Sequence, residues 1–348
     1  MSKLFYDSLG KTLKWPRLKN IAPSSLTYDD VLLIPQNSNI SSRASVNTKT
    51  KFGPYLLSKP IISAPMDTIS GEKMIRELAR LGGMGTLPRG DLKERIKICK
   101  EMSKENIPCL YAIGLKNGFE EARLLKESGA KMILIDVAHG GMEQVKKLAK
   151  EIKTKLKLYI VAGNIVSFTQ ASSYKSAKID IARVGVGPGG LCITRLVAGT
   201  GFPQLSAIFE TTSAGLSVIA DGGIKKPADF AKAIAAGANV VMIGSLFAGC
   251  DETPGEVVRG FKRARGQASK DYMKDNGVSA GEFRAAEGVA INVRTKGSVE
   301  NVINDLIGGL RSAMTYAGAE NIKDFQKKAM FSVVSPNTRE ENKPWLES

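Results

Sequence analysis

The chain has 348 residues, 43% hydrophobic and 24% charged, ample for one large core, and the composition places all of residues 1–348 in a single domain. No run approaches the roughly eighteen apolar residues of a membrane helix, and the opening MSKLFYDSLGKTLKW has no apolar signal region, which predicts a cytoplasmic protein without a membrane partner. The formal charge of +16 suits anionic ligands, but its lysines are spread over segments such as KERIKICKEMSKE and QVKKLAKEIKTKLK, a solvated basic surface that argues against a clustered nucleic-acid footprint.

Short β-branched runs alternate with helix-patterned segments in chain order: PIISAPM (60–66), GGMGTLP (82–88), CLYAIG (109–114), MILIDV (132–137), LYIVAGNI (158–165), IARVGVG (181–187), SVIADGG (217–223) and VVMIGSLF (240–247). Eight such strands at nearly regular spacing predict an α/β fold, a closed (β/α)8 TIM barrel, where an open dinucleotide-binding sheet would have fewer strands. The first sixty residues read as a cap or hairpin, and 319–348 as a polar tail. The step before the seventh strand holds the loop PGGLCITRLVAGTGFPQ (188–204). After the eighth strand, 249–297 is too long for a plain connection and reads as a flap, ending at a helix near Ser298 whose apolar face is Val299, Val302, Ile303, Leu306, Leu310 and Met314.

Barrels bind ligands at the carboxyl ends of their strands, with phosphate often after the seventh and eighth. Those ends carry Asp221-Gly222-Gly223 and Gly244-Ser245, glycines that let backbone N–H groups approach a phosphate, with Asp221 free to accept from ribose hydroxyls. The loop GVGPGGLCIT places Gly185, Gly187, Gly189 and Gly190 before Cys192. Such backbone can turn carbonyls toward a monovalent cation, from Gly187, Gly189 and Cys192, and leaves Cys192 exposed for nucleophilic work. Cys99 and Cys109 lie in apolar surroundings and read as core; Cys250 stays open between the two. With a single histidine and no CxxC spacing, zinc is excluded in any ordinary form. Asp67, Arg89, Asp136, His139 and Asn164 follow other strands and form, with these, a polar ring around one mouth.

Together GVGPGGLCIT, IADGGIKKPADFAKAIAAGA, MIGSLFAGCDETPGE, LTYDDVLLIP and SAPMDT resemble the IMP dehydrogenase/GMP reductase family from about Ser25 to Val334. The resemblance implies a homotetrameric barrel enzyme whose cysteine bonds covalently to C2 of a purine nucleoside monophosphate while a nicotinamide cofactor exchanges hydride there. Three features are similar to the reductase branch: no room for a regulatory CBS pair between strands two and three, no Arg-Tyr pair in the flap of the kind the dehydrogenases use to activate water, since its only tyrosine Tyr272 follows Asp271, and the segment GEFRAAEG (281–288). Carried over by that resemblance, Cys192, Thr194, Glu287, Asp136 and Arg89 are catalytic. Met66, Gly266, Gln267, Ala268 and Ser269 meet the base, Asp221 the ribose, and Gly222, Gly223, Gly244 and Ser245 the phosphate. Asp136, Ala138, His139, Asn164, Arg284 and Ala286 lie by the cofactor. The implied reaction is reduction of GMP to IMP and ammonia with NADPH, with potassium as a further ligand. The alternatives are a CBS-less IMP dehydrogenase using NAD, and a non-catalytic paralogue binding nucleotide or nucleic acid. Gly190 stands where the family usually has serine, Pro88-Arg89-Gly90 replaces a His-Lys or His-Arg pair, and RGQAS (265–269) differs from the usual base-reading segment, departures that admit a modified or deoxy nucleotide.

Overall fold

In a computed structural model, which describes residues 4–6, 12–14, 25–277 and 285–341, the eight expected strands form one parallel sheet. They are β1 (Ile61–Ser63), β2 (Gly85–Leu87), β3 (Cys109–Ile113), β4 (Met132–Asp136), β5 (Tyr159–Ile165), β6 (Ile181–Val184), β7 (Ser217–Asp221) and β8 (Val240–Ile243). Strand β8 pairs back onto β1, and an Ile62–Met84 bridge joins β1 to the start of β2, so the sheet closes into a barrel.

Nearly continuous apolar runs are what a sheet buried on both faces requires. Alternation along each strand divides them between two cores. Ile62, Leu110, Met132, Leu134, Val161, Ile181, Ile219, Val240 and Met242 fill the barrel, while Ile61, Tyr111, Ile133, Ile135, Ile160 and Val218 face the helices. A lysine-rich example is α4 (Glu143–Leu156), reached after α1 (Glu72–Arg80), α2 (Leu92–Lys104) and α3 (Gly118–Glu127). Its Val145, Ala149, Ile152 and Leu156 recur on one face and are buried, so the lysines between them are left to solvent, as the sequence indicates. The last long helix, Val299–Tyr316, starts where expected, capped by Ser298, but Ile307 is buried and Val302 only half-buried.

The predicted N-terminal hairpin exists as Thr50–Phe52 paired with Tyr55–Leu57. It drives Phe52 and Leu57 into the barrel interior and closes the mouth at the amino ends of the strands. Its turn residue Gly53 has φ +56°, and a Cβ there would lie 2.7 Å from the Met132 sulfur at the start of β4.

The polar-tail expectation for 319–348 is corrected by the structure over 319–341, and 342–348 lie outside the described residues. A helix at Ile322–Lys328 and a strand at Phe331–Val333 pack on the barrel, with Ile322, Phe325 and Phe331 buried. The strand runs antiparallel to Val31–Leu33, and the Phe331 ring meets Phe209 edge-on at 5.5 Å. Polar composition misled because three well-spaced apolar residues suffice to dock a short segment. Phe331→Ala is expected to cost about 3–5 kcal/mol of unfolding free energy in urea titration; a change below 1 kcal/mol, roughly the surface range, would return this segment to the status of a tail.

Candidate active site

The polar ring is built by the pleat. Asp136 lies two residues beyond Leu134, Arg183 two beyond Ile181, and Asp221 two beyond Ile219, so all three continue inward-facing columns as the top layer of the barrel. Above them opens a cavity of about 290 Å³ lined by Met66, Arg89, Asp136, Ala138, Asn164, Arg183, Asp221, Gly222, Gly223, Gly244, Ser245, Gly266, Gln267, Ala268, Glu287 and the 185–192 loop.

Three strand tips converge there. Gly222 and Gly223 both have positive φ, and a Cβ at Gly222 would stand 3.1 Å from the Gly189 nitrogen. A Cβ at Gly190 would stand 3.2 Å from that of Ser245. The DGG tip therefore presses on the loop preceding Cys192, and the Gly-Ser tip lies beside it. Beneath, the buried Tyr28 ring of the LTYDDV motif would be 3.2 Å from a Cβ on Gly223 and supports that turn.

Cys192 is partly exposed and its thiol donates to Thr194 Oγ1 at 3.2 Å. Thr194 in turn donates to Glu287 Oε2 at 2.8 Å. Main-chain pairing produces this row: Ile193 N–H donates to the Glu287 carbonyl at 2.8 Å and Val289 N–H to the Leu191 carbonyl at 3.0 Å. An isolated antiparallel bridge between Cys192 and Gly288 thus joins the flap to the cysteine loop. The flap's base is a hairpin, β9 (Phe261–Arg265) with β10 (Ala290–Arg294). Lys262, buried, donates to the carbonyls of Cys250, Asp251 and Thr253 at 2.8–3.1 Å and fixes that base to the end of the barrel.

Not every expected residue reaches the cavity. Ser269 is buried and caps the short flap helix Lys270–Asp275, so its hydroxyl is turned from the base site. His139 is exposed and Ala286 half-buried, and neither lines the cavity. Arg284 lies outside the described residues. Asn164 lines the cavity but spends its amide on the Gly185 carbonyl and Asp221 Oδ2. Asp67 is taken up by Arg265. The Arg265 guanidinium also pairs with Asp275 and stacks 5.4 Å from the Tyr272 ring centre. Sequence adjacency concealed this Arg–Tyr pair, which seven residues of flap fold together. Its carboxylate partners make it a latch between the flap and the loop after β1.

Arg183 is the residue that sequence reasoning missed. It pairs with Asp136 Oδ1 and Asp221 Oδ2 while itself 9% exposed. A cation inside the run IARV was the available signal. The two carboxylates outweigh the burial that opposes its charge and raise its proton affinity above the ordinary arginine value.

Of the donors expected for a monovalent cation, the Gly189 carbonyl accepts the Cys192 N–H at 3.0 Å, and the Arg195 side chain lies 2.5 Å from where a Cβ on Gly187 would stand. A nicotinamide group would find polar partners at the cavity wall. Asp136 Oδ2 and Arg89 Nε are buried without hydrogen-bond partners, 3.5 Å from each other at the cavity wall.

Residues 25–345 match the IMP dehydrogenase / GMP reductase domain. The chain belongs to that family. A GMP reductase from Ligilactobacillus salivarius is 36% identical, covering 86% of this chain and 94% of that protein. GMP reductase 2 of Mus musculus is 34% identical over 88% and 93% of the two chains. An inosine-5'-monophosphate dehydrogenase of Cryptosporidium parvum is 33% identical over 90% and 92%. Among solved structures, a cysteine-to-alanine variant of GMP reductase from Trypanosoma brucei, in complex with guanosine 5'-monophosphate, superposes with a TM-score of 0.88 at 26% identity, covering 94% of this chain and 99% of that one. Among the described residues, no helix is long and apolar enough to cross a membrane.

The four thiols differ sharply. Burial pushes Cys109 up to about 12 and Cys250 up to about 11, and also raises Cys99, whereas Cys192 opens onto the cavity. Brief alkylation of the native protein, read by peptide mass spectrometry, should label Cys192 and leave the other three unlabelled. Faster labelling of any buried cysteine would contradict the fold.

Proposed function

We propose that the protein is a GMP reductase, converting GMP to IMP and ammonia through a covalent bond between Cys192 and the purine. The observation that carries this is the row Cys192–Thr194–Glu287 at the edge of a cavity whose other wall is the Gly222-Gly223 and Gly244-Ser245 tips. That cavity matches the needs of a nucleotide: backbone N–H groups for the phosphate, Asp221 for the ribose, and Met66 with Gly266, Gln267 and Ala268 around the base.

Cys192 passes its proton through the Thr194 hydroxyl to Glu287 and, as thiolate, attacks C2, forming a carbon–sulfur bond as the electron pair of the C2–N double bond moves onto the ring nitrogen. The 2-amino group must leave protonated, and Glu287, acting through the Thr194 hydroxyl, delivers the proton, so that ammonia departs and C2 remains bonded to sulfur. Reduction at C2 needs a hydride, which a nicotinamide cofactor, NADPH on this reading, would supply when bound. Asp136, Arg89 and Ala138 would hold it against that carbon. Breaking the carbon–sulfur bond then releases IMP and restores the thiolate.

A second reading is favoured by one observation. The Arg265–Tyr272 pair lies in the flap, where IMP dehydrogenases resembling this chain would need an Arg-Tyr pair to activate water. Its engagement by Asp67 and Asp275 counts against a basic role. The nicotinamide absorbance band separates the readings: GMP with NADPH should lose absorbance, and IMP with NAD should gain none. The reverse result would make the protein a dehydrogenase. Tight GMP binding with no change in either assay would make it a non-catalytic nucleotide-binding protein.

Cys192→Ala should abolish both turnover and the mass increment of a purine adduct on the 192-containing peptide. Glu287→Gln and Thr194→Ala should each lower kcat by about 10²–10⁴-fold with a small change in KM for GMP, the effect of losing a positioned proton donor. An effect confined to KM would place them in binding only.

A further inference from the structure

We propose that Arg183 is a positioning residue that locks Asp221 and Asp136 into one unit and thereby makes the cavity selective for a ribonucleotide over its deoxy counterpart. The inference rests on the nucleotide reading above and deepens it.

The geometry divides each carboxylate between two duties. Asp221 Oδ2 accepts from Arg183 Nε at 2.9 Å and from Asn164 Nδ2 at 2.8 Å, while Oδ1 accepts from no described residue and belongs to a side chain lining the cavity. Asp136 Oδ1 accepts from Arg183 Nη1, and its Oδ2, buried and without a hydrogen bond, stands 3.5 Å from the Arg89 guanidinium. One guanidinium therefore fixes both planes and leaves Asp221 Oδ1 for whatever fills the cavity, while Asp136 Oδ2 faces Arg89. Without a cation between them, two carboxylates in a cavity of about 290 Å³ would repel and rotate apart. A planar fork can hold two acceptors at set angles; an ammonium on a flexible stem cannot.

A fixed, unpaired carboxylate oxygen is an acceptor for a vicinal diol. A sugar lacking those hydroxyls would leave it unpaired and desolvated on binding, a penalty of about 10- to 100-fold in affinity. That preference depends on Asp221 being held, not merely present.

The experiment compares wild type, Arg183→Lys, Asp221→Asn and Asp136→Asn. Affinities for GMP and for 2′,3′-dideoxyguanosine monophosphate are read by calorimetry, and kcat and KM by NADPH consumption. Arg183→Lys keeps the charge and so separates geometry from folding; Arg183→Met, which strands two buried anions, is followed by thermal melting as the stability control. Wild type should prefer GMP over the dideoxy analogue by about 10- to 100-fold. Arg183→Lys should erase most of that preference while binding the analogue as wild type does. It should also combine the raised KM of Asp221→Asn with the lowered kcat of Asp136→Asn in a single variant.

Equal weakening toward both ligands would show a merely structural role and overturn the proposal. So would wild-type constants in Arg183→Lys. Ribose-dependent binding lost in Arg183→Lys, with no NADPH consumption by wild type, would uphold Arg183 and remove the reductase reading. Turnover of GMP unchanged by Arg183→Lys would do the opposite.

Discussion

Everything at the candidate site depends on the pleat of a closed parallel barrel. Side chains alternate, so each strand contributes an inward column that must be filled. Up to Leu134, Ile181 and Ile219 the filling is apolar. One step higher come Asp136, Arg183 and Asp221, which cannot close the barrel as a dry core does. They pair with one another, leave Asp221 Oδ1 without a partner among the described residues, and turn the last layer into the floor of a cavity. Burying three charges is tolerable because each finds a partner of opposite sign.

The second constraint is made of main chain. Glu287 is brought to Thr194 by hydrogen bonds between the flap and the cysteine loop, not by packing of its own side chain. Placement of the carboxylate thus depends on the path of the flap, which Lys262 fixes at its base and Arg265 fastens near Asp67. The same arrangement explains why Ser269 is unavailable for the base: its hydroxyl is needed to start the helix that carries Tyr272 and Asp275, and so part of the latch.

These constraints also decide what could be read in the chain. The barrel was legible because eight apolar runs at regular spacing admit few other topologies, and the glycine-rich loop was legible because only glycine tolerates positive φ where strand tips crowd. Cys192, Thr194 and Glu287 followed from the family resemblance, and the structure brings them into one row. Arg183 was passed over because a single cation in a short apolar strand carries no marker of which way it points; only the register set by its neighbours does. The Arg265–Tyr272 contact and the docking of Phe331 are tertiary facts, dependent on a flap helix and a two-partner sheet that local pattern does not encode.

Charge is distributed in a way that bears on the nucleotide reading. The chain carries +16, yet the cavity's only cations among the described lining residues are Arg89 and Arg183, and both face Asp136 or Asp221. No lysine or free arginine among those lining residues is left to grip a phosphate. On the nucleotide reading the task would fall to backbone N–H groups at Gly222, Gly223, Gly244 and Ser245, which line the cavity and need no long side chain to be immobilised. On the same reading the solvated lysines would supply the complementary part, a long-range positive field that favours anions and weakens with salt. Attraction and recognition would then be separated: a basic surface that gathers anions of any kind, and neutral glycine tips with acidic neighbours that admit the one whose sugar and base also fit.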